Sequence, residues 1–123
     1  MQNQECICMK KTEIIKKNYE FKYFFKKGSY VPGKLLEIFI YKNKSEKNRI
    51  GIVVSKKVGG SVTRNKIKRF IRAAYTEIEG DITECSNILI IWKKKVSPDR
   101  ANFFDVRDDL IDIFKKTGIL EEN

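Results

Sequence analysis

The run Ile88-Leu89-Ile90-Ile91-Trp92 constrains the fold most, because five consecutive apolar residues, three of them β-branched, suit a strand buried on both faces. A sheet therefore lies inside the molecule, with helices packed on it. A second strand reads from the alternation over residues 35–41, which puts Leu36, Ile38 and Ile40 on one side and Leu35, Glu37, Phe39 and Tyr41 on the other. A third strand reads over residues 50–54, and the charged stretch 42–48 between them predicts a hairpin. Helical periodicity is clearest where Ile67, Phe70, Ile71, Ala74, Tyr75 and Ile78 recur at i, i+3, i+4, i+7, i+8 and i+11. A first helix is predicted over residues 13–27 with Gly28 as its stop. A last helix is predicted from the Ser97-Pro98-Asp99 start signal, with Val106, Leu110, Ile113, Phe114 and Thr117 inward and Gly118 closing it. The order is helix, strands, helix, strand, helix: an α/β (α+β) two-layer sandwich with a mixed central sheet and packed helices.

A chain of 123 residues with 41% hydrophobic residues has room for one domain with its own core, residues 1–123, of which 1–12 are expected to be flexible. The charge is uneven. Residues 1–75 hold 19 basic and 5 acidic side chains, while residues 76–123 hold 7 and 11, so a net of +14 faces one of −4. This asymmetry predicts a surface for a phosphate-rich partner. There is no histidine, which excludes His-dependent hydrolases and zinc sites built on imidazole. Cys6, Cys8 and Cys85 form no CxxC pair and read as structural or incidental thiols of a reducing compartment. No apolar run approaches membrane-span length and no secretory h-region is seen, so the protein is expected to be cytoplasmic, with no membrane partner.

The chemistry concentrates in the segment that runs from Ser55 to Arg69. Arg64, Lys68 and Arg72 fall at i, i+4 and i+8 and line one face of the strongest helix. Like charges at that spacing repel, and Arg64 and Lys66 sit in the first turn, where the helix dipole favours anions. Local stability does not explain them. A phosphate backbone along this ridge, continued by Lys56-Lys57 through the Gly59-Gly60 turn, would offset both penalties. The first helix carries Tyr19, Phe21, Tyr23, Phe24 and Phe25 within seven residues, more rings than one buried face accepts. Some of them must lie outside the core, where rings stack single-stranded bases. Asp105, Asp108, Asp109 and Asp112 share a helix face at i, i+3, i+4 and i+7; a solvated face is the expected reading, and a magnesium cluster for phosphodiester cleavage the competing one.

Ser55-Lys56-Lys57, then Gly59-Gly60, then Arg64-Asn65-Lys66-Ile67-Lys68-Arg69 resembles the signature of the bacterial ribonuclease P protein subunit. Lys17-Asn18-Tyr19-Glu20-Phe21 and the residues to Gly28 resemble that family's first helix, and Ile88 to Trp92 its final strand. Lys66 stands at the second arginine of the triplet, keeping the charge without the guanidinium fork. Phe39 stands where the family often has tyrosine, and Trp92-Lys93 near a frequent arginine.

The resemblance implies an RNA-binding accessory subunit that assists a catalytic RNA in removing the 5′ leader from precursor tRNA. It implies an unusual left-handed βαβ crossover, where ordinary chirality gives a right-handed one. It also implies magnesium held mainly by the RNA, with no catalytic residue and no metal ligand in this chain. The implied contacts to the catalytic RNA are Lys56, Lys57, Arg64, Asn65, Lys66, Lys68, Arg69 and Arg72. The implied leader cleft holds Lys17, Phe21, Phe25 and Phe39. The implied partners are the catalytic RNA and precursor tRNA, with no obligate protein partner. The alternative from charge alone is a stand-alone ribosomal-type or nonspecific nucleic-acid-binding protein.

Overall fold

A computed structural model describes residues 12–15, 18–43, 47–83 and 85–120, without the side chains of Glu13 and of residues 18–21. The elements in chain order are β1 (Thr12–Ile14), α1 (Asn18–Lys27), β2 (Ser29–Pro32), β3 (Leu36–Lys42), β4 (Asn48–Val53), α2 (Ser61–Ile78), β5 (Ser86–Trp92) and α3 (Phe103–Thr117). Five strands form one mixed sheet in the order β1-β4-β5-β3-β2. β5 is parallel to β4 and antiparallel to β3, β1 is parallel to β4, and β2 is antiparallel to β3.

The apolar run at residues 88–92 thus occupies the centre of the sheet, where both ladders and both faces are covered. Its register pairs Ile88 with Ile40 and Ile50, and Ile90 with Ile38 and Ile52. On that face Leu36, Ile38, Ile40, Ile50, Ile88, Ile90 and Trp92 pack against Ile67, Ile71 and Ala74 of α2 and Val106, Leu110, Ile113 and Phe114 of α3. Full burial of one such side chain is worth about 1.5–3 kcal/mol, so this layer dominates stability. The opposite face is thinner: Leu89 packs with Ile15 and Phe24, while Phe39, Tyr41, Val53 and Ile91 remain only partly covered.

Four expectations are corrected. β3 and β4 do not form a hairpin, since β5 is inserted between them and the chain returns through α2. The hairpin is made by β2 and β3, pairing Tyr30 with Phe39 and Val31 with Ile38. Residues 13–14 extend β1 instead of opening a helix, because pairing with Arg49 and Ile50 satisfies their backbone at the sheet edge. Ser97 caps the short 3-10 turn Pro98–Arg100, and α3 begins later, where the Asn102 side chain accepts the Asp105 N–H. Cys85, expected to be a free structural or incidental thiol, is buried and disulfide-bonded; Cys6 and Cys8 lie outside the described residues.

The predicted end of α3 is observed: Gly118 adopts φ +84° and its N–H reaches the Lys115 carbonyl at 3.2 Å. Asp109 departs from the solvated face expected for the acidic residues of α3. It is 5% exposed, its Oδ1 accepts from the Lys34 N–H at 2.8 Å, and its Oδ2 accepts from the Leu35 and Leu36 N–H groups at 3.0 Å. The carboxylate ties the β2-β3 turn to α3. Gly33 is required beside it, since a Cβ there would stand 2.4 Å from Asp109 Oδ1.

Candidate nucleic-acid interface

Two surfaces on opposite faces of the sheet carry the residues expected to bind. The first is the outer side of α2 with the turn before it. Lys56 and Lys57 are exposed in a turn closed by the Val58 N–H on the Ser55 carbonyl at 3.0 Å, and the Lys57 N–H donates to Ser55 Oγ at 3.2 Å. Asn65, Lys66, Arg69 and Arg72 are exposed on the helix itself. Arg64 and Lys68 are half-buried, which differs from a wholly solvated ridge. The reason for Arg64 is local: its Nε donates to the Gly59 carbonyl at 3.1 Å and so holds the Gly-Gly turn against the helix start. Lys68 and Arg72 edge a groove of about 600 Å³ between α2 and the β1-β4 strands, floored by Ile14, Ile50 and Ile52.

The electrostatics of α2 agree with an anionic partner. Its N-cap is Gly60, no side chain caps it, and no acid lies in its first turn. Its first amide groups therefore keep donors available beside cations, which is the arrangement that receives phosphate oxygens. The helix is held from the inside instead, by Ile67, Ile71, Ala74, Tyr75 and Ile78. Burial pushes the Tyr75 phenol up to about 12; the Thr12 hydrogen bond opposes this in part, the Glu79 charge adds a smaller upward push, and a hydrogen bond with Asn48 opposes it least. Thr12 Oγ1 lies 3.3 Å from the Tyr75 oxygen and donates to Glu79, fastening β1 to the end of α2.

The second surface is the thinly covered sheet face beside α1. Phe24 turns into the core, and Phe25 stays 57% exposed, meeting the half-buried Phe39 ring edge-on with ring centres 4.8 Å apart. Two of the four expected cleft residues, Phe25 and Phe39, are thus in contact. Lys17 and the side chain of Phe21 lie outside what the structure describes. Tyr30 joins them: it is 50% exposed, its ring is 5.1 Å from Phe39, and its hydroxyl donates to Glu37 Oε2 at 2.6 Å. That hydrogen bond raises the Tyr30 phenol above its usual range, with smaller contributions from burial and from the Glu37 charge. Sequence reasoning missed Tyr30 because β2 has only four residues and no alternation to detect. The available signal was a β-prone Tyr30-Val31 pair one residue beyond the Gly28 stop. Further along α1, Tyr23 meets the Tyr41 ring at 5.5 Å and lies under Lys27 Nζ at 5.8 Å. The result is a row of rings with a cation at one end and a carboxylate at the other.

The acidic residues of α3 do not fit a magnesium site. Both Asp109 oxygens are already taken by three backbone donors, and among the described residues no three acid or cysteine side chains are grouped to hold a metal.

A sequence-family profile described as Ribonuclease P matches residues 9–118. The chain belongs to the ribonuclease P protein family. Similar proteins include the ribonuclease P protein components of Clostridium botulinum, 36% identical over 110 residues covering 89% of this chain and 97% of that one, and of Shouchella clausii, 39% identical over 113 residues covering 91% of each. The fold is similar to the RNase P protein of Staphylococcus aureus at TM-score 0.75 and 32% identity, covering 88% of this chain and 97% of that one. It is also similar to the protein from Thermotoga maritima, at TM-score 0.76 and 31% identity, covering 85% and 96%. Family membership makes the chain a subunit of an endoribonuclease complex that associates with the ribonuclease P RNA.

Proposed function

We propose that the protein is the RNA-binding accessory subunit that helps a catalytic RNA remove the 5′ leader from precursor tRNA. The outer side of α2 and the Lys56-Lys57 turn lie against the catalytic RNA, and the Phe25-Phe39-Tyr30 row receives the leader. The observation that carries this reading is the separation of two binding chemistries on opposite faces of one sheet. A cationic, uncapped helix suits a phosphate backbone, and partly open rings suit unpaired bases. A general nucleic-acid binder needs only the first. The chemistry of cleavage belongs to the RNA with magnesium it holds itself, because this chain has no histidine and Asp109, the buried acid of α3, is committed to the fold. The protein acts in the cytoplasm, where precursor tRNA is made.

The test is reconstitution. Protein with magnesium and no RNA subunit leaves precursor tRNA intact, and adding the cognate RNA gives 5′ cleavage. In the reconstituted enzyme, Phe25→Ala or Phe39→Ala weakens precursor tRNA binding by on the order of 1–3 kcal/mol per lost stack, while mature tRNA, which has no leader, binds as before. Cleavage by the RNA-free protein would overturn the accessory role. Equal losses for both RNAs would remove the leader from the ring surface.

A further inference from the structure

Phe103 and Phe104, at the start of α3, belong to neither surface described above. Phe104 is 63% exposed, and the half-buried Phe103 meets its ring edge-on, with centres 5.3 Å apart at 81°. One turn later Arg107 sets its guanidinium carbon 5.3 Å from the Phe104 ring centre and 5.7 Å from that of Phe103. The guanidinium is itself held, with Nη1 3.1 Å from Glu77 Oε1 and Nε 3.5 Å from Asp108 Oδ1. Phe103 continues into a shallow hollow on α2 walled by Arg69, Phe70, Arg72 and Ala73.

A single exposed phenylalanine argues nothing by itself, since much of any protein surface is apolar. The setting does. The ring is held by an edge contact and a cation, so little side-chain freedom is lost when something stacks on it. Arg69 and Arg72 of α2 line the hollow beside its partner ring Phe103, and neither forms an ion pair among the described residues. The acids close by are engaged: Glu77 and Asp108 with Arg107, and Asp105 with Asn102 Nδ2 at 2.8 Å. Phenylalanine and arginine also occur at protein-protein contacts, but here the rings adjoin the end of a run of cations on α2, Arg64, Lys66, Lys68, Arg69 and Arg72, with no acid in the first turn of that helix, which matches a nucleotide chain, with base on ring and phosphate on cation.

We propose that Phe104, backed by Phe103 and Arg107, is a stacking platform for an unpaired nucleotide of the catalytic RNA, whose phosphates lie on Arg69 and Arg72. This rests on the assignment of α2 to that RNA and extends the contact across the α2-α3 junction, on the far side of the sheet from the leader surface.

The experiment titrates the full chain against the catalytic RNA alone, without tRNA. Phe104→Ala binds about tenfold more weakly, within the range of one lost base stack; Phe104→Trp binds as the wild type does. Phe104→Leu, apolar but not planar, loses as much as alanine. The salt slope is unchanged in all three, because no cation is removed, and melting midpoints hold because the ring is exposed. Wild-type affinity in Phe104→Ala or Phe104→Leu would overturn the platform, as would loss of self-association in sedimentation as the only change. If the wild-type protein itself fails to bind the catalytic RNA, the proposed function falls first.

Discussion

Helices α2 and α3 lie side by side on the same sheet face and bury comparable apolar stripes, yet their ends are built in opposite ways. α3 starts with Asn102 capping Asp105 and an acid in its first turn, and ends with Lys115, Lys116 and a left-handed Gly118. Each of those choices favours the helix locally. α2 has a bare glycine N-cap, no acid in its first turn and no base in its last. It places Arg64 at the end of its first turn, where the dipole disfavours a cation, and Lys66 just beyond that turn rather than within it as the sequence pattern predicts. Two helices sharing one core can therefore divide the work: one is locally stable and anchors the fold, while the other leans on tertiary burial and keeps its amides and cations for a partner. The acids of α3 belong to the same division, since Asp109 holds the β2-β3 turn.

The largest effect that sharpens this contrast is on the anchoring side. Asp109→Ala leaves three backbone donors without their acceptor and is expected to cost on the order of 3 kcal/mol of stability, read as a lower denaturation midpoint in urea. An Asp109→Ala protein with wild-type stability would make α3 a solvated acidic helix after all.

A second, smaller effect isolates the burial that holds α2. The Tyr75 phenol is raised from 10 to about 12, so the folded state keeps its proton where the unfolded chain has lost it. The stabilisation is complete below pH 10 and disappears as pH rises towards 12, by up to about 1.4 kcal/mol per pH unit. Tyr75→Phe should flatten that part of the stability profile, as measured by chemical denaturation at successive pH values. Identical slopes in both proteins would mean that Tyr75 ionises as freely in the fold as outside it.

The smallest effect has the clearest sign. Gly60 has φ −72° and open space where a Cβ would stand, so Gly60→Asp is sterically allowed. An aspartate there caps α2 and complements its dipole, which should raise stability by about 0.5–1 kcal/mol. It also sets a carboxylate at the site assigned to phosphate, and binding of the catalytic RNA should weaken several-fold. Thermal melts and RNA titrations on one preparation read both, and a gain in both would break the contrast between the helices.

Local pattern alone determined the inward stripes of α2 and α3, the alternation of β3, the buried character of β5 and the cationic segment from Lys56 to Arg72. In each case the signal is a period or a cluster within a few turns of chain, and side-chain burial follows from it directly. Tertiary structure decided the rest. The insertion of β5 between β3 and β4 is a choice among long-range pairings that a hairpin signal at residues 42–48 cannot reveal. Residues 13–14 became strand because an edge of β4 was there to pair with. Asp109 was one of four similar acids until packing of α3 put it under the β2-β3 turn, and Tyr30 became part of a ring surface only when β2 folded back to set it against Phe39. The physical reason is common to all four: each depends on which distant backbone donors, acceptors or rings are brought within a few ångströms, and no local period encodes that.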